Sequence, residues 1–220
     1  MIRAVLFDLD ETLIDRTETM RKFLLSQHQR FTALHRHTDK KYVEVCLGYQ
    51  ENGYADKLSA YTLACIDLNL SGKALADQLF EDFKERYGKE PVLFPGVFDT
   101  LSTLFQIYRI GLVSNGRTKG QTAKIEAGGI AKFFSSVCIS ESVGCKKPDH
   151  AIFLACLNEL SVPPVEAVFV GDNPQADIEP AKALGMRAIW LKNEFFPEPV
   201  MCDAIILNVQ ELPRLLENIA

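Results

Sequence analysis

Val5-Leu6-Phe7-Asp8-Leu9-Asp10-Glu11-Thr12-Leu13 is the stretch on which the fold turns. Together with Ile2 to Ala4 its first part is an unbroken apolar run, the pattern of a parallel strand covered on both faces. The run then stops on two carboxylates. Alternate strand residues point to the same side, so extended geometry carried past Phe7 sets Asp8 and Asp10 side by side. Two neighbouring acids repel, and their presence is understandable where a cation, a shared proton or a reaction uses them. The plainer alternative is a strand followed by a polar turn, since Asp and Thr are common turn and cap residues.

Three later strand ends bear on that choice. Ile110-Gly111-Leu112-Val113 runs into Ser114-Asn115-Gly116, and Val137-Cys138-Ile139 is followed by Lys146-Lys147-Pro148-Asp149. Ala167-Val168-Phe169-Val170 runs into Gly171-Asp172-Asn173-Pro174-Gln175-Ala176-Asp177. In open α/β sheets ligands sit outside the carboxyl ends of the strands. Four strand ends therefore deliver an acid pair, a hydroxyl, a cation and a second acid pair to one sheet edge.

Strands are expected at 109–113, 136–140, 167–170, 187–191 and 204–207, with helices between them near 99–107, 118–127, 150–160, 178–184 and 209–219. This alternation predicts an α/β fold with a doubly wound parallel sheet. Gly128-Gly129 and Gly185 stand where helices close. Pro180 fits a helix if Asp177 is its N-cap and Pro180 lies in the first turn. Between the first strand and this region the pattern is wholly helical, with Met20, Phe23, Leu24, Phe31 and Leu34 at helical spacings. Further helices are expected near 40–47, 57–66 and 75–87. The chain thus reads as a core of residues 1–15 and 92–220 holding an all-helical cap, residues 16–91. An insert tethered by two short linkers beside a polar site is suited to open and close over it; the alternative is a packed structural lobe.

The 220 residues carry a formal net charge of -5 and are 24% charged and 47% hydrophobic, as in ordinary soluble proteins. That balance argues against a nucleic-acid partner. No apolar run is long enough for a membrane span, and no leader precedes Ile2, so a cytoplasmic location is expected. The six cysteines form no CxxC pair and read as reduced core residues.

The chain resembles the haloacid dehalogenase (HAD) superfamily through Asp8-Leu9-Asp10-Glu11-Thr12, Ser114, Lys147 before Pro148, and Gly171-Asp172 with Asp177. The resemblance runs from Ile2 to about Leu207 and implies a Rossmann-like core and a helical cap between the first and second motifs. It implies that Asp8 is the nucleophile, forming an aspartyl-phosphate, and that Asp10 is the general acid and base. It implies Mg2+ held by the Asp8 carboxylate, the Asp10 main-chain carbonyl and Asp172, with Asp177 acting from behind. It further implies that Lys147 faces the transferring phosphoryl group and that Ser114, Asn115 and Gly116, with Thr12 ordering the first loop, receive the phosphate. Asp10 speaks against dehalogenation, since a halide leaving group needs no proton. Glu11, where many relatives carry glycine, leans the substrate toward a nucleotide or a similar monoester.

The expected function is therefore a Mg2+-dependent phosphatase for a small phosphate ester, acting as a monomer or homodimer. Alternatives are a phosphomutase of the β-phosphoglucomutase kind and a non-catalytic binding protein that kept the fold. The last predicts loss of at least one key side chain, and all are present. For substrate selection the turn Gly48 to Tyr54 stands out, with Arg16, Arg21, Lys57 and Arg117 as further candidates.

Overall fold

The first strand pairs on both sides with strands far away in sequence, which fixes the architecture. A computed structural model describes residues 1–53, 55–70 and 73–219, the side chains of Asn52 and Ile219 excepted. Six parallel strands, β1 (Ala4–Phe7), β2 (Arg109–Ser114), β3 (Ser136–Ile139), β4 (Ala167–Gly171), β5 (Arg187–Leu191) and β6 (Ala204–Ile206), form one sheet in the order β3-β2-β1-β4-β5-β6. Val5 is in register with Ile110 on one side and Val168 on the other. The order reverses at β1, the point at which such sheets open a crevice.

Both faces of the sheet are covered, as the apolar runs require. Val5, Phe7, Leu112, Val170 and Ile189 pack into one cluster with α5 (Val97–Phe105) and α10 (Leu212–Ile219). Ala4, Leu6, Phe169 and Trp190 pack into another with α8 (His150–Leu160) and α9 (Glu179–Ala183). Two more helices, α6 (Thr118–Ala127) and the unanticipated single turn α7 (Ser140–Val143), follow β2 and β3.

The chain divides into two compact units, Met1–Asp15 with Pro91–Ala220, and Arg16–Glu90. The second is made of α1 (Arg16–Arg30), α2 (Asp39–Gly48), α3 (Lys57–Asp67) and α4 (Lys73–Arg86) around its own cluster, including Leu24, Tyr42, Tyr61 and Leu79. Buried Gln27 ties it together: its amide donates to the Leu79 carbonyl and Asp82, each at 2.9 Å, and accepts from Tyr42 at 2.7 Å. Tyr54, the last residue of the turn singled out above, lies outside the described residues. Within the first unit the two linker ends are zipped together, Asp15 donating to Val92 and Phe94 to Leu13 at 2.9 and 3.1 Å.

After Asp10 the chain turns back: the amides of Leu13 and Ile14 both return to the Leu9 carbonyl at 2.9 Å, closing a tight loop. One local expectation needs correction: Asp177 is not the N-cap of the helix containing Pro180. Asn173 caps a π-helical turn over Pro174–Ile178, its side chain accepting from Gln175 and Ala176 at 3.0 Å. Asp177 lies inside that turn, and α9 starts after it with Pro180 in its first turn.

Candidate active site

Each acidic motif hangs from the end of a central strand. Asp8 still donates its amide to Val170, at 2.9 Å, so the ladder between β1 and β4 holds its backbone. Asp172 and Asp177 follow β4, and Lys147 follows β3. Their side chains meet: Lys147 Nζ lies 2.5 Å from Asp8 Oδ1 and 2.7 Å from Asp177 Oδ1. Asp8, Asp172 and Asp177 each offer a carboxylate oxygen within 4.8 Å of the others. Lys147 and Asp177 side chains are 3% and 1% exposed. Lys146, by contrast, is exposed, so burial separates the two adjacent lysines.

Three carboxylates crowd around one ammonium in this group, and the acidities of Asp8 and Asp172 register the shortfall. Burial pushes the Asp8 carboxyl up to about 7; Lys147 pulls it down, while Asp177 and Asp10 raise it. Asp172 is pushed up to about 8, by burial first and then by Asp177 and Asp8, with the Asn193 hydrogen bond opposing. Burial lowers the Lys147 ammonium, but the Asp177 and Asp8 carboxylates outweigh it and hold it above the usual lysine range. A donor set of hard carboxylate oxygens with excess negative charge fits a divalent cation such as Mg2+.

Around this centre the backbone is arranged to admit the acids. A Cβ at residue 171 would collide with the Asp177 carboxylate, so Gly171 is required by close approach. Trp190 Nε1 donates to the Asp172 carbonyl at 2.7 Å, and Asn193 Nδ2 to Asp172 Oδ2 at 2.8 Å. Thr12 Oγ1 lies 3.5 Å from Asp172 Oδ1, at the long end of hydrogen bonding. Thr12 therefore faces the acid cluster.

Asp10 has separate partners. Lys124 Nζ contacts both its oxygens, at 2.6 and 2.8 Å, and Gln121 Nε2 donates to Oδ2 at 3.0 Å. Gln121 Nε2 also lies 2.6 Å from Ser114 Oγ. Two groups expected to receive phosphate are engaged within the protein. The Asn115 side chain bonds the Lys147 backbone both ways, at 3.0 and 2.8 Å, fastening two motif loops together. The Gly116 amide donates to Ser140 Oγ at 2.9 Å. Gln121, Lys124 and Asn193 were not anticipated. Gln121 and Lys124 stand three apart on the helix after the Ser114 motif, hence on one face, and that spacing was the available signal.

The sequence and the fold both have known counterparts. Residues 5–191 match the model of the family described as haloacid dehalogenase-like hydrolase. The chain belongs to this family. It is 32% identical to the glyceraldehyde 3-phosphate phosphatase of Pyrococcus furiosus, over 98% of this chain and 92% of that protein. It is 28% identical to the human N-acylneuraminate-9-phosphatase, over 99% of this chain and 95% of that protein. Among solved structures it resembles a HAD phosphatase from Thermococcus onnurineus, with a TM-score of 0.68 and 27% identity over 98% of each chain.

Proposed function

We propose that the chain is a Mg2+-dependent phosphatase that hydrolyses a small phosphate monoester through a phosphorylated Asp8. The observation that carries this reading is the convergence of the Asp8, Asp172 and Asp177 carboxylates within 4.8 Å of one another, with Lys147 bonded to Asp8 and Asp177 and Asp10 in the adjoining loop. We assign the metal to the carboxylates of Asp8 and Asp172 and the Asp10 main-chain carbonyl, with Asp177 supporting through Lys147. When bound, Mg2+ supplies charge neutralisation, so that a phosphate dianion can approach three acids.

An Asp8 oxygen attacks phosphorus while the ester P–O bond breaks. Asp10 gives its proton to the departing alkoxide. Water then attacks the phosphorus of the aspartyl-phosphate, Asp10 takes a water proton, and the bond to Asp8 breaks to release phosphate. Lys147 offsets the charge on the transferring group from a fixed, dry position, where preorganised charge contributes most. Ser114 donates to a phosphate oxygen.

The two relatives matched nearly end to end are named for phosphates on a terminal carbon of a hydroxylated chain. That class stands first among our substrates, ahead of the nucleotides suggested by Glu11. The test is phosphate release from a panel of triose, sugar-acid and nucleotide monoesters, with Mg2+ and then with EDTA. Metal-dependent release of free phosphate supports the reading. An isomerised sugar phosphate without net release identifies a mutase, and no turnover of any ester overturns the proposal.

A further inference from the structure

We propose that Gln121 and Lys124 are positioning residues that hold Asp10 in the orientation needed to hydrolyse the aspartyl-phosphate. The inference rests on the phosphatase reading above and goes past it to residues outside the recognised motifs. Lys124 lies on the inward face of α6, its side chain 4% exposed, against an Asp10 side chain that is 24% exposed. Lysine is almost never buried unless paired. A buried ion pair is also a poor source of stability, because apolar replacements of similar volume are often neutral or better. A long apolar side chain would therefore suit the fold at this position, and the lysine answers another need.

That need is visible in the geometry. Asp10 sits in the tight loop after β1, between Leu9 and Glu11, and Glu11 itself has φ 61. Lys124 grips both Asp10 oxygens and Gln121 grips Oδ2. The Gln121 amide is oriented by its neighbours: Asp10 Oδ2 and the Asn115 carbonyl, 3.3 Å away, are acceptors, so the NH2 group must face them. Because the same NH2 also donates to Ser114 Oγ, the serine hydroxyl keeps its own proton for an outside acceptor. One helix face thus aims both the base and a phosphate donor.

All three contacts are donors to Asp10, and a carboxyl that has given its proton to the first leaving group can accept every one of them. It is then ready for the second half-reaction. There a water oxygen bonds to phosphorus, the Asp8–phosphorus bond breaks, and the water proton passes to Asp10. Small misplacements of a catalytic group cost on the order of a hundredfold in rate.

4-Nitrophenyl phosphate separates the two half-reactions, since nitrophenolate leaves without a proton. In Lys124→Met we expect kcat to fall about a hundredfold. We expect kcat/KM, which reports the first half-reaction, to stay within about threefold of wild type. A burst of nitrophenolate stoichiometric with enzyme should precede the slow phase. Gln121→Met should lower kcat more than kcat/KM, the smaller kcat/KM loss coming from Ser114, and carries the test if Lys124→Met does not fold; Lys124→Arg should recover part of kcat. Equal losses in kcat and kcat/KM, or no change in either, would overturn the inference. A wild-type enzyme that releases no phosphate from any ester would instead overturn the parent reading, and this inference with it.

Discussion

Two lysines meet carboxylates in this site, and the two pairings are built on opposite terms. Lys124 and Asp10 are matched one to one at the edge of solvent, with Gln121 sharing the load. Lys147 is buried among Asp8, Asp172 and Asp177, one cation against three acids. The first is electrically complete and fixes a geometry. The second is incomplete, and its raised carboxyl pKa values express a standing demand for another positive charge. Local charge balance therefore separates the group that positions from the group that binds and reacts.

Removing chemistry from the incomplete centre should have the largest effect. Asp8→Asn is expected to lower turnover more than about ten-thousandfold, measured as phosphate release, because no other group can carry the phosphoryl intermediate. Lys147→Met should cost about a hundred- to a thousandfold. It should also destabilise the metal-free protein by several kcal/mol, because it leaves buried acids without their cation. Lys124→Met, with Asp10 still partly hydrated, should cost about 1 kcal/mol. Urea unfolding of the two variants side by side checks this ranking, and equal losses would erase the contrast.

The same imbalance makes stability depend on pH. Burial and neighbouring acids push the Asp8 and Asp172 carboxyls up to about 7 and about 8 in the folded state, from the ordinary 3.8. Between these limits the folded protein holds more protons than the unfolded chain, so metal-free stability falls as pH rises from about 4 to 8. Lys147 is charged throughout this window in both states and does not alter the slope. Thermal unfolding at pH 5 and pH 8 should show a lower Tm at pH 8, and Mg2+ should restore it. Asp172→Asn should flatten the pH dependence and abolish most of the response to Mg2+.

A smaller effect lies in the loop that joins the two centres. Glu11 occupies left-handed backbone at φ 61, where a side chain is strained. Glu11→Gly should gain about 0.5–1 kcal/mol. For a domain of this size that is about 1–4 °C in Tm, read by calorimetry. A decrease would show that contacts of the Glu11 side chain outweigh the backbone strain.

The strand framework was legible because its signals are local: apolar runs of four to six residues ending on polar groups give β1, β2, β4 and β5 almost to their limits. Helices α6 and α8 were equally plain from their flanking turns. The π-helical turn at Pro174 was not, because Asp177 within it is held by Lys147 from beyond another strand, a contact that no local window contains. The motif residues Asp8, Lys147 and Asp172 could be placed at one sheet edge from topology alone. Lys124 could not: its spacing from Gln121 marks a shared helix face, but a lysine there reads as solvated, and only the tertiary fold shows what its ammonium meets.

The pairing of β1 with β2 across the whole helical insert also has a meaning for synthesis. The central strand leaves the ribosome about a hundred residues before its first sheet partner, a wait of about 5–20 s at ordinary elongation rates. During that interval its apolar face has no sheet to join. The helical unit, with its closed internal cluster, completes its own sequence first. The nascent chain therefore carries a compact helical body with a sticky strand on one side, and the zipped linker ends mark where the returning chain must find it. The order of manufacture is the reverse of the order of importance: the strand that bears the nucleophile is made early and buried late.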